Sequence, residues 1–180
     1  VHRTNTGPLK SYYSLAQGAN TIWAGAEGRF LKSPADGGEI FYNHDQLSLP
    51  LPRVPLTLFE ASNQRLWVIG RIGQVYSADF SYNEWLTYRD LNFEFETKDG
   101  VQWFRLRGDG VSRHVVRHDS QSGEWTKYTS QDGVLDETFR LFYSSHGLIW
   151  AAGSHEDRAA ISVFDGETWT RIPHPEFATW

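Results

Sequence analysis

The chain has 180 residues, a formal charge of -5 at pH 7 and no cysteine or methionine. That balance shows no basic face for nucleic acid, no apolar stretch near the ~20 residues of a membrane span, and no basis for a disulfide framework, a thiolate metal site or a cysteine nucleophile. Aromatic residues are 15% of the chain, eight of them Trp, beside 16 Gly, which favours many short strands joined by tight turns.

Residues 1–10 are polar and contain Gly7-Pro8; they read as a tail or as a strand of a further repeat. A chain that opens on Val1 and lacks Met reads as a processed or excised product. Strands are expected at 12–15, 21–24, 30–33 and 40–43, with turns at Gly18-Ala19-Asn20 and Asp36-Gly37-Gly38. Pro50, Pro52 and Pro55 deny ladder bonds to the stretch that follows, so 43–55 reads as a surface connection. The next strands are expected at 56–60, 65–69, 75–78 and 85–88, then at 93–97, 101–106, 113–118 and 125–128. A connection, Thr129 to Asp136, leads to strands at 139–143, 148–152, 160–164 and 169–172, after which prolines end the pattern.

Two aromatics keep time with this plan. Trp23, Trp67, Trp103 and Trp150 lie in the second strand of each group, 44, 36 and 47 residues apart. Phe41, Trp85, Trp125 and Trp169 lie in the fourth, 44, 40 and 44 apart. A period of ~40–45 residues with four strands per unit is the pattern of propeller blades. The expected fold is therefore all-β: a β-propeller of about four blades of four antiparallel strands, in a single domain over 1–180, with blades at about 12–43, 56–88, 93–128 and 139–172. Middle strands buried on both faces read almost continuously apolar, and Trp suits the space between blades because it buries a large area. On this reading Trp67 and Trp150 fill inter-blade cores.

Strands that run alternately up and down place the loops between second and third strands on the same side as the connections between blades. Loops on a rigid scaffold are where binding resides most often. Arg71, Arg107, Asp109, His155 and Asp157 supply charge at the tips of those loops in three successive blades and are the candidate ligand-binding residues. His155-Glu156-Asp157 lacks the spaced partners a metal site needs. His114 and His118 share a strand face ~13 Å apart, too far to hold one ion, and read as exposed or hydrogen-bonded histidines. No phosphate-binding Gly loop, serine nucleophile elbow or zinc-protease helix occurs. No cofactor, no metal and no catalytic residue is expected.

The stretch Asp132-Gly133-Val134-Leu135-Asp136, then Leu148-Ile149-Trp150 and Phe164-Asp165-Gly166-Glu167-Thr168-Trp169, resembles the propeller repeat of the extracytoplasmic sensors of bacterial two-component regulators. Asp36, Gly38 and Phe41 are similar in spacing to the Asp-box repeat of sialidase-like propellers, with Pro34 where that family has Ser; Ser77-Ala78-Asp79 keeps the Ser-x-Asp spacing without the Gly. Arg171-Ile172-Pro173 is similar to the Arg-Ile-Pro motif of sialidases, but here Thr170 precedes it, and its bland reading is a strand end stopped by Pro. These resemblances imply a propeller and, from the first family, a non-catalytic sensing module of a bacterial regulator. Such a module is extracytoplasmic, in the periplasm, and binds a small molecule, a saccharide or a partner domain. The alternative they imply is part of a glycan-active propeller enzyme. Both families build more than four blades, so the chain is expected to be a segment of a larger propeller, a small closed ring, or one of two copies that complete a ring.

Overall fold

The computed structural model describes residues 12–18, 21–26, 29–34, 40–43, 57–70, 75–79, 84–107, 113–174 and 176. The expected tail over 1–10, the proline-rich stretch 44–55, the turns at 36–38, 81–83 and 108–110, and the candidates Arg71 and Asp109 lie outside these residues. Sixteen strands are described, in four groups of four. The first sheet comprises β1 (Tyr12–Gln17), β2 (Thr21–Ala26), β3 (Arg29–Pro34) and β4 (Ile40–Asn43). The second comprises β5 (Thr57–Glu60), β6 (Leu66–Ile69), β7 (Val75–Asp79) and β8 (Glu84–Tyr88). The third comprises β9 (Leu91–Glu96), β10 (Val101–Arg107), β11 (Arg113–Asp119) and β12 (Trp125–Tyr128). The fourth comprises β13 (Glu137–Tyr143), β14 (Ile149–His155), β15 (Arg158–Phe164) and β16 (Trp169–Pro173). Within each group consecutive strands pair antiparallel, as the blade pattern read from the sequence expects, and one parallel pairing, Arg113 with Glu137, links the third and fourth groups into an eight-stranded sheet. The chain divides into two compact units, Val1–Tyr88 and Arg89–Trp180.

The aromatic phase has a geometric cause. The four inner tryptophans occupy one register position: Trp23 opposes Ala16, Trp67 opposes Phe59, Trp103 opposes Phe95 and Trp150 opposes Phe142. One residue earlier, Ile22, Leu66, Gln102 and Ile149 oppose Gln17, Glu60, Glu96 and Tyr143. Side chains alternate across a strand, so the four inner Trp share one face of their sheets and the residue before each lies on the other; for Trp23 and Trp103 the Trp face is the one toward the next sheet of the same unit. In the first unit Trp23 and Phe30 reach forward onto Leu58, Leu66, Val68, Tyr76 and Ala78 of the second sheet. Trp67 points to the other side of its sheet, fully buried and stacked between Phe59 and Tyr88, with ring centroids 5.9 and 5.6 Å away.

In the second unit Trp103 reaches forward into a core formed with Leu141, Ile149, Ala151, Ala160, Phe164 and Trp169. Its ring meets Trp169 edge-on at 6.0 Å and Phe164 at 5.4 Å, the offset geometry that the ring quadrupoles favour. The inner aromatic of one blade therefore packs on the outer aromatic of the next. Trp125 holds Trp169's place in the third sheet, stacked 4.1 Å from His118 and 5.5 Å from Phe104. His118 is buried and its Nδ1 is 2.7 Å from the Gln102 Oε1; it is one of the hydrogen-bonded histidines anticipated above.

Trp150 departs from its series. The expectation that it fills a core is not met: it is only partly buried, and its neighbour Phe142 is 55% exposed. Within the second unit the described strands end with the sheet that carries it.

Candidate functional site

The connection between the third and fourth sheets shows how the sequence builds one end of the second unit. Thr129 caps a short 3-10 turn over Ser130–Asp132: its hydroxyl accepts from the Gln131 N–H, while its own N–H and hydroxyl both donate to the Asp132 carboxylate. The Thr129 N–H, and after it the Thr129 hydroxyl, hold the Asp132 carboxyl below the usual carboxylate range. Gly133 then turns left-handed at φ 94°, and a Cβ there would run into the Trp169 backbone. The turn drops Val134 and Leu135, 0% and 2% exposed, into the core. Asp136 follows and clamps the next loop, accepting from the Glu156 N–H at 2.8 Å and lying 2.8 Å from the His155 Nδ1. Each residue of Asp132-Gly133-Val134-Leu135-Asp136 thus has a folding role.

This contact places the β14–β15 loop beside the connection between blades, as the up-and-down strand order requires. The loop is a two-residue turn, Glu156-Asp157, with both residues left-handed at φ 51° and 59°; hairpin turns that match the strand twist need this geometry. A hollow of about 200 Å³ opens there, lined by His155, Glu156, Arg158, Arg171 and His174 among others. His155 lines it but has both ring nitrogens engaged. Arg171 can only donate, so its Nη1, 2.8 Å away, makes the His155 Nε2 an acceptor, and Nδ1–H donates to Asp136. Arg171 also donates from Nε to the Val134 carbonyl at 3.1 Å and from Nη2 to the Ser130 carbonyl. Asp157 sits exposed at the turn tip and does not line the hollow. Arg107 ends β10 opposite Arg113, with its side chain outside the described residues, as are Arg71 and Asp109. Of the five candidates, then, the described structure brings only His155 and Asp157 to one loop, and His155 serves as a clamp.

The opposite end of the second unit holds a larger crevice, about 290 Å³, that sequence reading passed over. It runs between the third and fourth sheets. Its walls include Val101, Trp103, Ile149 and Phe164, its rim Lys98, Asp99, Arg117, Tyr143 and the turn glycines Gly147 and Gly166. Tyr143 stacks on Phe95 at 5.8 Å, and Lys98 is exposed. Arg117 reaches the Asp119 carboxylate at 3.3 Å. Asp119 is fixed in turn by the N–H groups of Ser122 and Gln121, which hold its carboxyl below the usual range. The third-to-fourth-strand turn of the last sheet repeats the device: Asp165 accepts from the Glu167 and Thr168 N–H groups at 2.9 and 2.8 Å. An apolar pocket with a few converging polar groups is the usual form of a small-molecule site, and this crevice has that form. Lys98 and Asp99 share one hairpin turn, Gly147 and Gly166 lie in two others, and Arg117 and Tyr143 belong to strands, so no single stretch of sequence marks the rim.

No protein-family model matches the chain, and no curated protein matches it. Solved structures do match in fold. Streptogramin B lyase superposes with a TM-score of 0.53 at 18% identity, over 93% of this chain and 56% of its own. The extracellular domain named for a one component system of B. thetaiotaomicron gives 0.56 at 12% identity, over 99% of this chain and 25% of its own. YCF48 bound to D1 peptide gives 0.55 at 14%, over 93% and 55%. The chain spans about half the length of two of these proteins and a quarter of the third. Extracellular domains named for hybrid two component systems of the same bacterium also match, so the regulator-type resemblance in the sequence has its counterpart in the fold. The class defined is a partial β-propeller scaffold.

Proposed function

We propose that the chain is a non-catalytic recognition segment of a propeller, the sensing part of an extracytoplasmic bacterial regulator, and that it takes a small saccharide bearing a carboxylate. The crevice between the third and fourth sheets supports this reading: Tyr143, stacked on Phe95 at the rim, offers a sugar ring an aromatic face, and Lys98 with Arg117, which also pairs with Asp119, suits its acidic group. The likeness in fold to extracellular domains of two component systems supports the sensing role and the compartment. Among the described residues, no helix is long and apolar enough to cross a membrane. The sialidase-type alternative loses support at Arg171, whose donors are taken up by Ser130, Val134 and His155 within the fold.

Calorimetric titration with galacturonate and its short oligomers, against the neutral galactose series, tests the reading. Acidic sugars are expected to bind, and Lys98→Ala with Arg117→Ala to weaken them by roughly tenfold, about 1.4 kcal/mol. Binding that ignores both substitutions, or no preference for the acid, overturns it.

A further inference from the structure

The hollow beside the Asp136 clamp has a charge pattern of its own. Directly opposed residues share a sheet face, and so do alternate residues along a strand. Arg158 opposes His155, Ala160 opposes Pro173, and Ser162 opposes Arg171. All six therefore lie on one face of the last sheet, with Ala160 and Pro173 at the level between the two arginines. Short side chains between long ones leave the space of about 200 Å³ that both arginines line.

The two arginines are held differently. Arg171 is half-buried and donates to the Ser130 and Val134 carbonyls and to the His155 Nε2. A guanidinium has five N–H groups, so with three engaged two remain, on a side chain already fixed in place. An anion that takes them costs little further ordering. Arg158 is exposed and makes no hydrogen bond or ion pair with a described residue. Among the other described residues that line the hollow, His155 holds its proton toward Asp136, and the His174 Nδ1 lies 2.9 Å from the Glu176 carboxylate. Glu156 is the acidic side chain of the lining. Two arginines against one glutamate leave a single positive charge in excess, which suits one negative charge better than two.

We propose that this hollow is a second ligand site, for a small monocarboxylate with a short aliphatic body. Arg158 and the remaining Arg171 N–H groups take the carboxylate, whose two oxygens match a planar guanidinium. Ala160 and Pro173 receive the methylene groups. The hollow and the crevice share no lining residue, so this site stands apart from the saccharide reading.

NMR titration of the isotope-labelled chain with sodium butyrate at constant ionic strength tests it, beside n-butanol as the uncharged counterpart and inorganic phosphate as the more highly charged one. Butyrate is expected to shift the Glu156, Arg158 and Ala160 amide signals along a saturating curve. Butanol is expected to leave them in place, and phosphate to bind more weakly. Arg158→Gln keeps length and polarity but removes the charge at an exposed position, so the remaining spectrum is expected to match the parent. It should weaken butyrate by about tenfold, the loss of one charge-assisted contact. A response that does not saturate, an equal response to butanol, tighter binding of phosphate, or an Arg158→Gln variant that binds like the parent would each overturn the proposal. So would butyrate binding that is lost through Lys98→Ala with Arg117→Ala, since that places the carboxylate in the crevice.

Discussion

Trp103 and Trp150 hold the same register position in adjacent sheets, in similar local sequence, and have different surroundings. Trp103 is sealed by two connection residues, Val134 and Leu135, and by the aromatic edges of Phe164 and Trp169. Trp150 is only partly buried, beside a Phe142 that is 55% exposed. The difference shows that a blade supplies half of a core, and that the stabilisation arrives with the next blade.

The largest effect expected from this comparison is at the sealed member. Trp103→Ala should cost about 3–5 kcal/mol, the range for truncating a buried large aromatic, read as a shift in the denaturant midpoint; a loss below about 1 kcal/mol would mean that the core does not depend on it. Next comes the polar strut between the same two sheets. Glu94 and Arg105 pair at 2.6 Å with side chains 5% and 12% exposed, and Glu94 also accepts from the Leu141 N–H at 3.4 Å. Glu94→Ala leaves Arg105 buried without its carboxylate and should cost about 3 kcal/mol. A larger salt sensitivity of the parent than of the variant would place this pair at the surface instead.

Trp150→Ala should cost about 1 kcal/mol in the dilute chain, because its ring is only partly removed from water. A loss equal to that of Trp103→Ala would erase the comparison. The smallest effect concerns acid. Asp119, Asp132 and Asp165 accept backbone N–H bonds that hold all three carboxyls below their ordinary range. A group depressed on folding adds stability above its unfolded value, about 3.9, and that stability is lost as pH falls through the folded value. Replacing all three by Asn keeps an acceptor in each turn. It should leave neutral-pH melting close to the parent and flatten the decline below about pH 4; an unchanged acid limb would sink the assignment.

Much of the fold could be read from the sequence, because the two aromatic periods and the turn residues are local signals. All four strand groups appear where alternation and Gly or Asp turns place them, within a few residues. Trp150 misled because sequence reports a residue's face and not whether another sheet covers it. The site was harder to read. Arg171 reads in sequence as a strand end, yet it lies two residues beyond buried Trp169, and period-two alternation puts both on one face; the half-buried arginine there finds carbonyl partners in the connection. His155 stood out as a charged loop tip, but its two partners, Asp136 and Arg171, are 19 and 16 residues away. Tertiary contact alone decides that its nitrogens are occupied.

The assignment of each inner Trp and the residue before it to opposite faces also bears on how such a chain changes over generations. Because every sheet carries one face of each kind, a whole repeat copied into or deleted from the gene brings matched faces to the junction. Such a change brings a Trp face to a face of the receiving kind, aliphatic at Leu66 and Ile149, with Gln102 of the third sheet the polar exception. A recombination point inside a sheet has no such freedom, since it separates a tryptophan from the strand partner that orients it. Repeat number can therefore drift by whole blades while the residues between them stay in place.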